Sequence, residues 1–151
     1  MSKIIEFRIV SKDKNLHGDF LMKIPSLNRE YFLDTYYFWN GEYDTDSYDI
    51  LQPLIDSYLR KCQDSVLSLL DEEITYLPVD FSDQYYGIFK VTCIKRNFSY
   101  TVQYGSVEKT MKTYFSKINN HLIFTIGDET FNEDFNLIMQ LYDIIDSFSL
   151  S

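Results

Sequence analysis

YGIFKVTCIKRNFSYTVQY, residues 86–104, decides the fold. In its first half Phe89, Val91 and Cys93 alternate with Lys90, Thr92 and, less cleanly, Ile94. In its second half Phe98, Tyr100, Val102 and Tyr104 alternate with Ser99, Thr101 and Gln103. Successive side chains of a strand point to opposite faces, so each half has one apolar and one polar face. Arg96-Asn97 lies between them as a turn, which makes the pair antiparallel.

Working outward, a third strand is expected over 109–117. Asn119-Asn120 tolerates the positive φ of a tight hairpin, and HLIFTI, 121–126, supplies a fourth strand. Four consecutive strands would form a meander. Upstream, DEEITYLPVDFSDQ, 71–84, reads as a connector with room for one short strand. Before it the period changes: Tyr48, Leu51, Ile55, Tyr58, Cys62, Val66 and Leu69 recur every three or four residues, with Asp56, Arg60 and Asp64 opposite. That spacing predicts a helix over 47–70, capped by Asp46, Ser47 or Asp49. Pro53 requires it to begin near Gln52 or to kink in its first turn.

The amino-terminal part offers strands at 3–10 and 19–24, with NLHG as the turn between them and Pro25-Ser26 ending the second. Another strand at 30–39 ends in Asn40-Gly41, a strong hairpin signal. At the other end, Thr130-Phe131-Asn132-Glu133 has the form of a capping box. Phe131, Phe135, Ile138, Tyr142, Ile145 and Phe148 then make one helical stripe, away from Asn132, Asn136, Gln140 and Asp143. The expected fold class is α+β. An antiparallel sheet of about six or seven strands has one helix after the amino-terminal strands and a carboxyl-terminal helix packed on the sheet. The 151 residues suit a single domain over 1–151, with a core large enough to need no metal or disulfide.

The tail TYFSKINNHLIFTIGDETFNEDFNLIMQLYDIIDSFSL, 113–150, resembles the closing segment of the PsbP, Mog1 and DcrB-like fold group. There a Tyr-Phe strand, a hairpin and an aromatic strand precede an amphipathic helix ending in a Ser-Phe pair, here Ser147-Phe148. The likeness covers about a third of the chain; of that group's opening Pro-Gly-Trp-like turn only Ile24-Pro25 is present. The resemblance implies the sheet-and-helix sandwich and an accessory, adaptor, assembly or regulatory protein that binds other proteins rather than an enzyme.

The net charge of −9 is unevenly spread. Residues 30–59 carry seven acids and no base, residues 118–151 six acids and no base, and residues 90–117 six bases against one acid. Proteins that neutralise phosphates are basic over their footprint, so no nucleic-acid partner is expected. The amino terminus lacks the apolar run of a secretory signal, and no stretch reaches the roughly 20 apolar residues of a membrane span. A cytoplasmic protein is expected, with no membrane insertion.

Cys62 and Cys93 lie 31 positions apart without CxxC spacing, and are expected to be buried and free. His17 and His121 sit beside turn residues, where a solvated His is common, and no GxSxG, HExxH or phosphate-cradling glycine loop occurs. No catalytic residue, metal ligand or cofactor site is expected. The run 44–49 resembles a calcium loop until its sixth and twelfth positions, Asp49 and Ile55, are set against the Gly and Glu such a loop needs.

One stretch carries more rings than a strand can hide. YFLDTYYFWNGEYDTDSYD, 31–49, packs eight aromatic rings and five carboxylates into nineteen residues with no Lys or Arg. Phe32, Leu33, Tyr37 and Phe38 are expected in the core. Tyr36, Trp39, Glu42, Tyr43, Asp44, Asp46 and Asp49 are the candidate partner-binding residues: rings as low-entropy anchors, carboxylates to steer a basic partner. The function expected is a non-catalytic protein-binding module, of the immunity or inhibitor type, masking a basic effector. The alternatives are an adaptor or chaperone that holds an apolar client segment on the sheet or its edge, and a small-ligand carrier or enzyme.

Overall fold

The computed structural model describes residues 3–10, 20–34, 48–82, 84–109, 114–116, 123–125 and 131–151. The elements are β1 (Glu6–Ile9), β2 (Phe20–Ile24), β3 (Arg29–Leu33), α1 (Tyr48–Leu67), β4 (Ile74–Phe81), β5 (Tyr85–Ile94), β6 (Ser99–Glu108), β7 (Tyr114–Ser116), β8 (Ile123–Thr125), β9 (Asn132–Gln140) and α2 (Leu141–Ser147). The fold is α+β with antiparallel sheets, one helix after the amino-terminal strands and one at the carboxyl end. The strands divide into a three-stranded sheet β1-β2-β3, a four-stranded sheet β4-β5-β6-β9 and the hairpin β7-β8.

The strand pair read from 86–104 is present, in unbroken register from Tyr85 opposite Glu108 to Ile94 opposite Ser99. Its turn is a 3-10 segment, Lys95–Asn97, followed by Phe98 in the left-handed region at φ 52°. Phe98 therefore does not continue the inward row of Tyr100, Val102 and Tyr104; it stands 84% exposed at the tip. The same loop closes β2 and β3, with Pro25–Leu27 as the 3-10 segment and Asn28 at φ 52°. Two hairpins of unrelated sequence thus solve one geometry, once with Asn, which suits it, and once with Phe, which does not.

Three expectations are corrected. The stretch 71–84 contains a full eight-residue strand, β4, whose last five residues are all buried. The meander does not continue through four strands, because the second neighbour of β6 is β9 rather than β7. And residues 132–140 are strand, not helix. Phe135, Leu137 and Met139 face inward opposite Tyr104, Val102 and Tyr100. This segment satisfies both the helical and the alternating pattern, and pairing with β6 satisfies backbone groups that a helix would leave unpaired on that sheet. Only Leu141–Ser147 is helical. Its capping box is Gln140 with Asp143, whose Oδ2 accepts the Gln140 N–H at 2.9 Å. Glu133 instead lies in β9 and accepts the Gln103 amide at 2.7 Å, while Thr130 lies outside the described residues.

The helix α1 follows its predicted spacing, burying Ile55, Tyr58, Leu59, Cys62 and Val66. It runs continuously from Tyr48 with Pro53 inside it. Tyr58 donates its hydroxyl to the Pro78 carbonyl, which fastens the helix to β4. The inner face of the four-stranded sheet, through Phe89, Val91, Val102, Tyr104, Phe135 and Met139, packs on α1, on Phe7, Phe20, Met22 and Leu33 of the smaller sheet, and on Ile144 and Phe148. Phe7 sits among Phe20, Phe148 and Phe89 at ring separations of 5.3, 5.9 and 6.4 Å. Both cysteines are buried and free, as expected, and burial pushes the Cys62 thiol up to about 12.

The chain ends meet in this core. Leu150 bridges to Phe7 in parallel, the Ser151 N–H donates to the Phe7 carbonyl at 2.8 Å, and Ser147 Oγ accepts the Ile5 N–H at 3.2 Å.

Candidate functional site

Of the residues put forward for partner binding, Tyr36, Trp39, Glu42, Tyr43, Asp44 and Asp46 lie outside the described residues, and Asp49 is placed only as backbone in the first turn of α1. His17, His121, Tyr37 and Phe38 also lie outside them. Leu33 is buried as expected, but Phe32 is 63% exposed, because the alternation of β3 turns it away from the core. What the described residues show is a contact made by Asp34 of the acidic aromatic stretch, and an outer face of the four-stranded sheet that is exposed over one half.

The contact is a clip between the end of β3 and β4. Asp34, just after β3, donates its N–H to Asp80 Oδ1 at 2.8 Å and accepts the Phe81 N–H at 2.8 Å. Asp80 is buried in an otherwise apolar strand end and packs over Gly87, its cross-strand partner. A Cβ on Gly87 would fall 2.6 Å from Asp80 Cβ and would also strike the Tyr104 hydroxyl. Glycine is what lets a carboxylate and a phenol share that place. Burial pushes the Asp80 carboxyl up to about 6, against the Asp34 N–H that favours its charge. Burial also raises Tyr104 well above the usual phenol value, reinforced by Asp80, and the charge of Asp80 raises Tyr85. A second acidic contact lies nearby: Asp134 accepts the Tyr31 hydroxyl at 2.5 Å and pairs with Arg29 at 3.2 Å. Tyr31 and Tyr104 meet edge to face at 5.4 Å, which joins the two groups.

The outer face of the four-stranded sheet is the second feature. The register aligns Ile74, Thr92, Thr101 and Ile138 in one row across all four strands. Its ends are 46% and 76% exposed at Ile74 and Ile138. The next row is Tyr76, Lys90, Gln103 and Asn136, and beyond it Pro78, Ile88 and Gly105 are buried. The open half is therefore the one nearest Phe98. Lys90 stands on it, and Lys95 and Arg96 stand at the tip beside it. An open cleft of about 360 Å³ lies elsewhere, lined by Arg8, Ile9, Gln52, Leu150 and Ser151. Among the described residues no three His, Cys, Asp or Glu side chains are grouped so as to hold a metal ion, and no helix is long and apolar enough to cross a membrane.

The sequence carried one overlooked signal for the clip: a lone carboxylate inside the apolar run LPVDF, where an acid is rarely placed without a partner. No protein-family model matches the chain, and no curated protein or solved structure matches it either.

Proposed function

We propose that this chain is a non-catalytic protein-binding module whose contact surface includes the open half of the outer sheet face. The observation that carries this reading is the Ile74, Thr92, Thr101, Ile138 row: exposed and apolar at both ends, with two half-buried threonines in the middle. Exposed aliphatic side chains in line across a rigid sheet suit an apolar segment of another protein, with Lys90, Lys95 and Arg96 meeting carboxylates at its border. This is the adaptor or chaperone form of the binding module.

The masking form, in which Trp39, Tyr43 and the acids between 42 and 49 cover a basic effector, is favoured by the clip. Asp80 holds Asp34, an acid of that stretch, in place, and a group already held binds at lower entropic cost.

A photo-crosslinking side chain at Thr101 tests the first form, with one at Lys61 on α1 as reference. Adducts with another protein from Thr101 but not from Lys61, persisting in high salt, support it. Equal adducts from both positions, or none from Thr101, refute it. For the masking form the Trp39→Ala, Tyr43→Ala double variant must lose a partner that salt releases from the parent.

A further inference from the structure

We infer that β9 is a self-pairing edge: two copies of the chain join antiparallel along it, with a two-fold axis at Ile138, into one continuous eight-stranded sheet. Among the described residues β9 has a strand neighbour on one side only, β6, so alternate backbone groups of β9 face away from that sheet. Edge strands are ordinarily guarded by Lys, Pro, a charge or a bulge. β9 has such a guard only at its amino end, where the register with β6 shifts at the acids Glu133 and Asp134; from Phe135 to Tyr142 the sequence FNLIMQLY contains no Lys, no Pro and no charge. In a chain of net charge −9 this is where a second copy can approach without like charges meeting.

The occupied end of β9, the parity of its outer face and the exposure of Ile138 together point to one register. The amino end of the edge is already occupied, because Arg29 Nη1 donates to the Asp134 carbonyl at 3.3 Å and to its carboxylate at 3.2 Å. The free edge then runs over 135–140. Outer-face side chains must stay on the outer face, so even-numbered residues oppose even-numbered ones. Centring on Ile138 sets Ile138 against its own copy and Asn136 against Gln140, an amide pair, and keeps Glu133 and Asp134 clear of each other. Ile138 is 76% exposed, and Leu141, Tyr142 and Ile145 continue the exposed apolar surface into α2. Such a dimer would also join the two open sheet faces, but the inference does not depend on the protein-binding reading.

Sedimentation equilibrium across a dilution series tests it, with Ile138→Lys and, as control, Phe32→Lys on β3. The parent and the Phe32 variant are expected to reach twice the chain mass of 18.0 kDa, and the Ile138 variant to stay at that mass with unchanged near-ultraviolet circular dichroism. Cysteine scanning reads the register. Ile138→Cys should form a disulfide between copies, because paired Cα atoms lie about 4.5–5.5 Å apart. Asn136→Cys should not, its two copies being about 13 Å apart. The native Cys62 and Cys93 are buried and do not compete. A monomeric parent, a dimeric Ile138→Lys, equal dissociation by Phe32→Lys, or cross-linking at 136 in place of 138 would each overturn the inference.

Discussion

The Asp80 carboxylate accepts the backbone N–H of Asp34 at 2.8 Å, and through that bond the smaller sheet is held to the end of β4. Its pKa of about 6 lies above the roughly 3.9 of a free aspartate, so between those values the folded chain binds more protons than the unfolded one. Stability from this group is present below pH 4 and is lost as pH rises through 6. Asp80→Asn keeps an acceptor for Asp34 and removes the charge. It should stabilise the protein by about 1–2 kcal/mol at pH 8, leave it nearly unchanged at pH 4, and flatten the slope between. Urea unfolding at both values checks this; equal gains at both would show that charge is not the cause.

Phe98 and Asn28 occupy the same position of two matching hairpins, each at φ 52°. A bulky side chain there is strained and, at 84% exposure, gains little from packing. Phe98→Asn should raise stability by about 1 kcal/mol, and Asn28→Ala should lower it by a similar amount. If Phe98→Asn also weakens capture of a partner, the strain serves the open face beside it.

Gly87 lies where Asp80 and the Tyr104 hydroxyl converge. Gly87→Ala should cost about 1–3 kcal/mol through overpacking. Adding Tyr104→Phe removes one of the two atoms in the way, so the double variant should lose less than the sum of the singles. Strict additivity in urea titrations would mean that the clash is relieved elsewhere.

The strands at 86–104 and the helix at 47–70 were legible because each has a single period and a turn or cap signal at its end. β9 was not, because Phe135 belongs to both the helical stripe and the alternating row. The choice between them is made by β6, whose backbone needs a partner no local pattern records. β4 was obscured by Pro78, Asp80 and the acids before it, although its final five residues are buried. Asp80 was hidden as a site residue for a related reason: Gly87 is brought to it by the β4–β5 pairing, and Asp34 by a contact between the two sheets. The acidic aromatic stretch was the most visible feature of the sequence, and of its candidate residues only Asp49 is placed, as backbone.

Ser147 Oγ accepts the Ile5 N–H at 3.2 Å across 142 residues, and both residues are fully buried. Ser149, two positions on, accepts Lys3 Nζ at 3.0 Å in a partly solvated place. The two hydroxyls join the same chain ends and differ in access to water. Ser147→Ala strands a buried N–H and should cost about 1–3 kcal/mol. Ser149→Ala lets water replace the hydroxyl and should cost under about 0.5 kcal/mol. Because Ile5 precedes β1 and Ser147 closes α2, the larger loss should come with faster hydrogen exchange in β1. Equal costs for the two variants would mean that the chain ends are held by the Phe7, Phe148 and Leu150 side chains and not by this hydrogen bond.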